Sequence, residues 1–232
     1  MGESILWELA KLQRHMGGVA GVSLFVLVVV VLGVIAPLYF SLGFMTLRVL
    51  LTYTCLPFLL VPPIVAESVA GERELKPEGR AQRRDWLYGK VGAGALYGWV
   101  SVWFILALAI TSLSASVGGF LPPSPPVGLG LVLLSLASSV FAASFAAAVS
   151  MGARSVKGAK RTMRQGVLLL LIVIIFLSRQ SWPWARRLAV PETGTGFLEF
   201  SVVISVVLAG FSAGLVKLAL HASDTAEIRL NL

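Results

Sequence analysis

The residue types that could carry chemistry in this chain are few and scattered. His15 and His221 are its two histidines and Cys55 its one cysteine. No H-E-x-x-H or paired-ligand spacing exists, and a lone cysteine allows neither an intramolecular disulfide nor a cysteine-based metal site. Gly89-Lys90 is followed by Val91 and preceded by no correctly spaced glycine. The chain therefore has no P-loop to cradle ATP phosphates. Serines are frequent, but none is arranged with a histidine and an aspartate for nucleophilic attack. Proton- and sodium-coupled carriers usually keep carboxylates at mid-membrane depth. Glu67 and Glu199 instead fall at the ends of apolar runs, which counts against such a carrier.

Two charged stretches remain. The first is Glu67-Ser68-Val69-Ala70-Gly71-Glu72-Arg73-Glu74, followed by further charge up to Gly89-Lys90. It mixes signs tightly and reads either as a solvated loop or as a surface that docks a partner. The second comprises Arg154, Lys157, Lys160, Arg161 and Arg164, which at helical pitch fall within an arc of about 120°. This basic stripe suits attraction to anionic lipids, worth about 1 kcal/mol per residue near the surface. A specific phosphate or partner site is the rival reading.

The elements that position these residues follow from composition. Of the 232 residues, 57% are hydrophobic and 13% charged, against roughly 45–50% and ~25% in soluble domains. The mean hydropathy of +0.88 is too high for one globular core to hide. Residues 16–47 and 91–153 carry no charge at all. A hydrocarbon core about 30 Å thick needs ~20 apolar residues per helix, so the second run holds two spans broken at Pro122-Pro123-Ser124-Pro125-Pro126. Backbone groups in lipid must be satisfied within the segment, which makes the spans helices. The expected fold is an all-α polytopic membrane protein forming one transmembrane domain over 1–232. Its six spans are expected at about 19–40, 46–67, 89–112, 127–150, 163–180 and 199–220. Pro57, Pro62 and Pro63 predict a kink or broken end in the second. The fifth is the shortest and needs snorkelling by Arg164 and Arg179.

Ahead of the first span, Ile5, Leu6, Leu9, Leu12 and Met16 share one helical face, with Glu3, Lys11 and Arg14 opposite. This is the pattern of an interfacial amphipathic helix. The net charge of +8 sits between the apolar runs, as a topology signal does, rather than on a nucleic-acid-binding face. With both termini cytoplasmic, Arg48, Arg179, Arg186 and Arg187 lie outside and the other 15 of the 19 lysines and arginines lie inside. Trp182 and Trp184 beside Arg186 and Arg187 suit the outer headgroup layer, with a lid as the alternative. Gly94 and Gly98, Gly210 and Gly214, and the row Ser135, Ser139, Ala143 and Ala147 mark close helix approaches. Spacing leaves open whether these rows pack inside one bundle or seam two copies together.

At these residues the sequence resembles the ABC-2 type transporter permeases. The resemblance rests first on Ala66-Glu67-Ser68-Val69-Ala70-Gly71-Glu72-Arg73-Glu74 with the later Gly89-Lys90. It rests second on the stretch from Ser150 through Arg154-Ser155-Val156-Lys157-Gly158-Ala159-Lys160-Arg161 to Gln165-Gly166. The six-span layout with an amphipathic start is a third, weaker likeness. Residues 75–85 depart from the family pattern, being polar where its members are leucine- and threonine-rich.

The resemblance implies a membrane subunit of the cytoplasmic (inner) membrane that lines a substrate pathway together with a second permease subunit, identical or paralogous. It implies that Glu67, Gly71, Glu72, Arg73 and Glu74 couple to a separate ATPase. No cofactor is expected in this chain, ATP being held by the partner, and no catalytic or metal-binding residue is expected. A non-transporting scaffold subunit and a secondary transporter are the alternatives. An intramembrane lipid enzyme would need converging polar residues, which the sequence does not display.

Overall fold

A computed structural model describes residues 19–40, 47–75, 80–119, 122–153, 157–159, 161–163, 165–166 and 194–230. At 19–24, 40, 47–49, 72–75, 80–83 and 222–230 only the backbone is described. The expected amphipathic helix before residue 19, most of the fifth span and the tryptophan-arginine segment lie outside these residues. Among them every regular element is helical. Four helical stretches, Leu50–Gly71, Arg84–Val117, Pro125–Gly152 and Gly194–His221, are long and apolar enough to cross a membrane. A shorter apolar helix covers Phe25–Tyr39.

The first apolar helix is α1 (Val19–Val30), a π-helical segment (Val31–Ile35) and α2 (Ala36–Phe40) in unbroken succession. The described residues of this helix fall within the expected first span. The π segment has a chemical cause. Pro37 has no N–H, so neither the i−4 carbonyl of Gly33 nor the i−5 carbonyl of Leu32 can be answered by residue 37. Neighbouring helices answer them instead. The Tyr53 hydroxyl donates to Leu32 O at 2.6 Å, and the Ser112 hydroxyl donates to Gly33 O at 3.2 Å.

The second expected span is two helices, α3 (Leu47–Thr54) and α4 (Pro57–Leu75). The break falls at Cys55 and Leu56, whose N–H groups reach back three residues to Thr52 O and Tyr53 O, both at 3.1 Å. Pro57 forces this, because its ring would collide with the Tyr53 carbonyl in a continuous helix. Pro62 and Pro63, also expected to break the span, are carried inside α4. Helix α5 (Arg80–Val117) has 38 residues, about 57 Å against a hydrocarbon core of about 30 Å. It ends at Gly118, whose φ of +75° is the left-handed conformation that glycine adopts without steric cost. Helix α6 (Pro125–Gly152) begins with two prolines, where missing N–H groups cost nothing. Helix α7 (Gly194–Leu230) has 37 residues.

Two cores hold the bundle. One contains Val61, Val65 and Val69 of α4, Leu87, Val91 and Ala95 of α5, Ala142 through Met151 of α6 and Val216 and Ala219 of α7. The other contains Leu50 and Tyr53 of α3, Val102 through Leu113 of α5, Val127 and Leu131 of α6 and Phe197 of α7.

Small residues bring three helices together. A Cβ on Gly94 would collide with Val65 Cγ2 and stand 3.3 Å from Ala143 Cβ. A Cβ on Gly98 would collide with Val61 Cγ2 and stand 3.2 Å from Ser139 Oγ. The Gly94/Gly98 pair and the Ser139/Ala143 row are therefore intramolecular seams. Ser139 avoids an orphaned hydroxyl by donating to Ser135 O at 2.7 Å, one turn back. Gly210 and Gly214 are different: each is exposed and has nothing within 4 Å of its Cβ position.

Helices α6 and α7 run parallel. Gly194 sits beside Ser124, Pro126 and Val127, and a Cβ on Gly130 would stand 2.8 Å from the Phe197 ring and 2.9 Å from Ser201 Oγ. At the far end Ala148 and Met151 share a core with Val216 and Ala219. Gly152 and Gly194 therefore lie at opposite ends of the pair.

Candidate functional site: the Ser68–Lys90 helical hairpin

The first charged stretch was expected to be a polar connection. It is largely helical instead. Helix α4 continues through Leu75 and α5 begins at Arg80, so only residues 76–79 separate the two. The reason lies in composition. Residues 64–75 contain no glycine except Gly71, and Glu, Arg, Ala and Leu are good helix formers. Helix α5 likewise starts ten residues before Lys90, with Arg84 and Asp85 exposed.

The two helices are antiparallel, with Val61 against Gly98 and Val65 against Gly94. The same register brings Ser68 to Lys90. Lys90 Nζ donates to Ser68 Oγ at 2.6 Å, and both residues are fully buried at 0% exposure. Lys90 is the largest wholly enclosed side chain among the described residues. A buried ammonium is costly unless it is hydrogen-bonded, and the bond to Ser68 meets part of that need. Gly89, also buried, keeps that turn of α5 slim, while Leu87 and Val91 bury against Val65 and Val69 in the same core.

Of the residues singled out for coupling, Glu67 and Gly71 are half-buried on α4, and Gly71 has open space where a side chain would stand. Glu72, Arg73 and Glu74 occupy the last turn of α4, described by backbone alone. The structure thus places all five on one helix, on the two turns that flank and follow Ser68.

The basic stripe is described in part. Lys157 and Arg161 are exposed, on short helical pieces at 157–159 and 161–163. Ala159 at 0% and Met163 at 2% are buried on the opposite side, and Met163 joins the core next to α4 and α5. Arg154, Lys160 and Arg164 lie outside the described residues. Among the described residues no three His, Cys, Asp or Glu side chains converge as metal ligands.

The sequence carried no sign that Lys90 is enclosed rather than snorkelling, since a lysine at a span end ordinarily reaches for water. Tyr53 and Ser112 were likewise not singled out. Pro37 was the available signal for them, as an intrahelical proline always leaves a carbonyl to be answered. Ser144 and Ser150 on α6, Ser201 and Ser205 on α7 and the indoles of Trp99 and Trp103 on α5 are buried polar groups without a hydrogen-bond partner. No protein-family model, curated protein or solved structure matches this chain.

Proposed function

We propose that this chain is the membrane-spanning permease subunit of an ABC transporter of the ABC-2 type. In this reading two such chains, or this chain and a paralogue, line the pathway, and a separate ATPase docks at the end of the bundle that carries residues 71–74. The observation that carries the reading is the Ser68–Lys90 bond. It joins in space the two separated parts of the first stretch that carries the family resemblance, residues 66–74 and Gly89-Lys90, at the root of a helical hairpin. A hairpin held this firmly is a suitable lever, since closure of an ATPase dimer below it would move α4 and α5 as rigid bodies.

Six spans with both ends cytoplasmic are part of the same proposal. The parallel run of α6 and α7 supports them, because a chain that leaves Gly152 and returns at Gly194 must travel back along the pair. An odd number of crossings between these helices meets that demand, and the 163–180 run is the segment apolar enough to supply one. The 15-to-4 division of lysines and arginines then puts the hairpin on the cytoplasmic side of the inner membrane.

The test replaces Glu72 and Glu74 together with alanine. Exposed charges in a merely solvated segment contribute ~0–1 kcal/mol, so abundance and insertion should be unchanged. ATPase co-purification, or transport normalised to permease level, should fall. The purified chain alone should hydrolyse no ATP. Full ATPase recovery and wild-type transport from the double mutant would remove the coupling assignment.

A further inference from the structure

We infer that the α6–α7 seam is a closed polar path, lined by Ser144, Ser201 and Ser205, that opens when α7 parts from α6 and takes uncharged hydrogen-bonding groups. A serine inside a helix ordinarily satisfies its hydroxyl by donating to a carbonyl one turn back. Ser116, Ser135, Ser139 and Ser212 all do so, to Leu113 O, Val132 O, Ser135 O and Leu208 O. Ser144, Ser201 and Ser205 do not. Their hydroxyl oxygens are buried without a hydrogen-bond partner, and Ser144 and Ser201 are 0% exposed.

The three share one contact. Ser201 Oγ stands 2.9 Å from the Cβ position of Gly130, on the face that α6 presents to α7. Ser205 follows Ser201 by about one helical turn on the same side. Ser144 lies about four turns beyond Gly130 and within about 40° of it around the axis. Parallel helices advance together, so Ser144 arrives within about one turn of Ser212, itself buried about three turns beyond Ser201. An unanswered hydroxyl is costly in a low-dielectric interior. Three in one contact favour its separation, because each recovers hydrogen bonds once the seam is wet. The packing of α7 allows this. Among the described helices it packs chiefly on α6, and Val203, Val206 and Phe211 on its other faces are each more than half exposed.

Charge decides the class of occupant. Helix α6 has no charged residue. Within Gly194–His221 of α7 the lysines, arginines and acidic residues are Glu199 and Lys217, both exposed and both about 160° around the axis from Ser201. An ion in the seam would meet no opposite charge, whereas a hydroxyl, an amide or water would find both donors and acceptors. The use of this path by cargo rests on the permease reading; its opening and its chemistry do not.

The experiment follows modification of single cysteines, in a Cys55→Ser background in lipid nanodiscs, by methanethiosulfonate reagents that differ in charge. A thiol reacts as its thiolate, which forms where water reaches it. Ser144→Cys and Ser205→Cys should react with the uncharged hydroxyethyl reagent. They should react more slowly with its sulfonate and trimethylammonium counterparts, each rate taken relative to the same reagent at the exposed position Ser124→Cys. Val203→Cys on the outward face of α7 and Ser139→Cys between α5 and α6 are the controls and should not react. Ser201→Ala should slow modification of Ser144→Cys and Ser205→Cys by about tenfold, because it removes an unanswered hydroxyl from the closed seam. Gly130→Ala should speed both, because its methyl group would stand 2.8 Å from the Phe197 ring and wedge the helices apart. Reaction at Ser144→Cys and Ser205→Cys no faster than at the two controls overturns the proposal, as do equal relative rates with charged and uncharged reagents. A reactive seam in a chain that recruits no ATPase upholds the proposal and removes only the permease reading. Ser201→Ala deletes a single hydroxyl, so the test stands even if Gly130→Ala fails to fold.

Discussion

The Tyr53 hydroxyl donates to the carbonyl of Leu32 at 2.6 Å, tying α3 to the π segment of the first helix across 21 positions of sequence. Tyr53 is 4% exposed and Leu32 half-buried, so removing the hydroxyl takes this partner from a partly buried carbonyl. Tyr53→Phe should lower unfolding free energy by about 1–3 kcal/mol. Pro37→Ala restores an N–H to answer the same turn of carbonyls. The Tyr53→Phe penalty should therefore be smaller in a Pro37→Ala background, and a double-mutant cycle of thermal unfolding in lipid–detergent mixtures measures the difference.

Gly94 and Gly98 are places where helix α5 has no room for a methyl group. Gly94→Ala should cost about 1–3 kcal/mol through overpacking against Val65, and Gly98→Ala a similar amount against Val61. Val65→Ala should recover part of the Gly94→Ala loss, because the methyl group it deletes is the one in collision. Gly210→Ala and Gly214→Ala meet open space and should leave the melting temperature where it is. If all four variants melt alike, the α4–α5 seam is not as close as described.

The side of the membrane reached by each connection is measurable with impermeant thiol reagents in a Cys55→Ser background. Ser124→Cys and Thr193→Cys should react from outside, a pairing motivated by Gly194 lying beside Ser124. Gln82→Cys and Ser155→Cys should react only from the cytoplasm. Labelling of Thr193→Cys from the cytoplasm alone would contradict the six-span arrangement.

Lys157 and Arg161 are exposed while Ala159 and Met163 are buried. Lys157→Ala with Arg161→Ala should weaken the dependence of thermal stability on anionic lipid in reconstituted vesicles. ATPase association should stay at the wild-type level. A loss of ATPase binding with unchanged lipid dependence would reassign the stripe to the partner.

Helical spans could be read from the chain because apolar length and the demand for internal hydrogen bonding act locally, one segment at a time. The first apolar helix and α6 lie within uncharged runs of the chain. Proline chemistry likewise located the break before Pro57, although Pro62 and Pro63 pass through α4. Which small-residue pair faces a neighbour was beyond the sequence, since Gly94/Gly98 and Gly210/Gly214 are the same motif. The fold puts one against Val61 and Val65 and leaves the other open. Residues 67–74 were legible as a charged stretch, but not as a helix. The enclosure of Lys90 was not legible at all. Whether a lysine at the end of an apolar run reaches water or a buried hydroxyl is decided by what stands opposite it. Only the antiparallel register of α4 on α5 places Ser68 there.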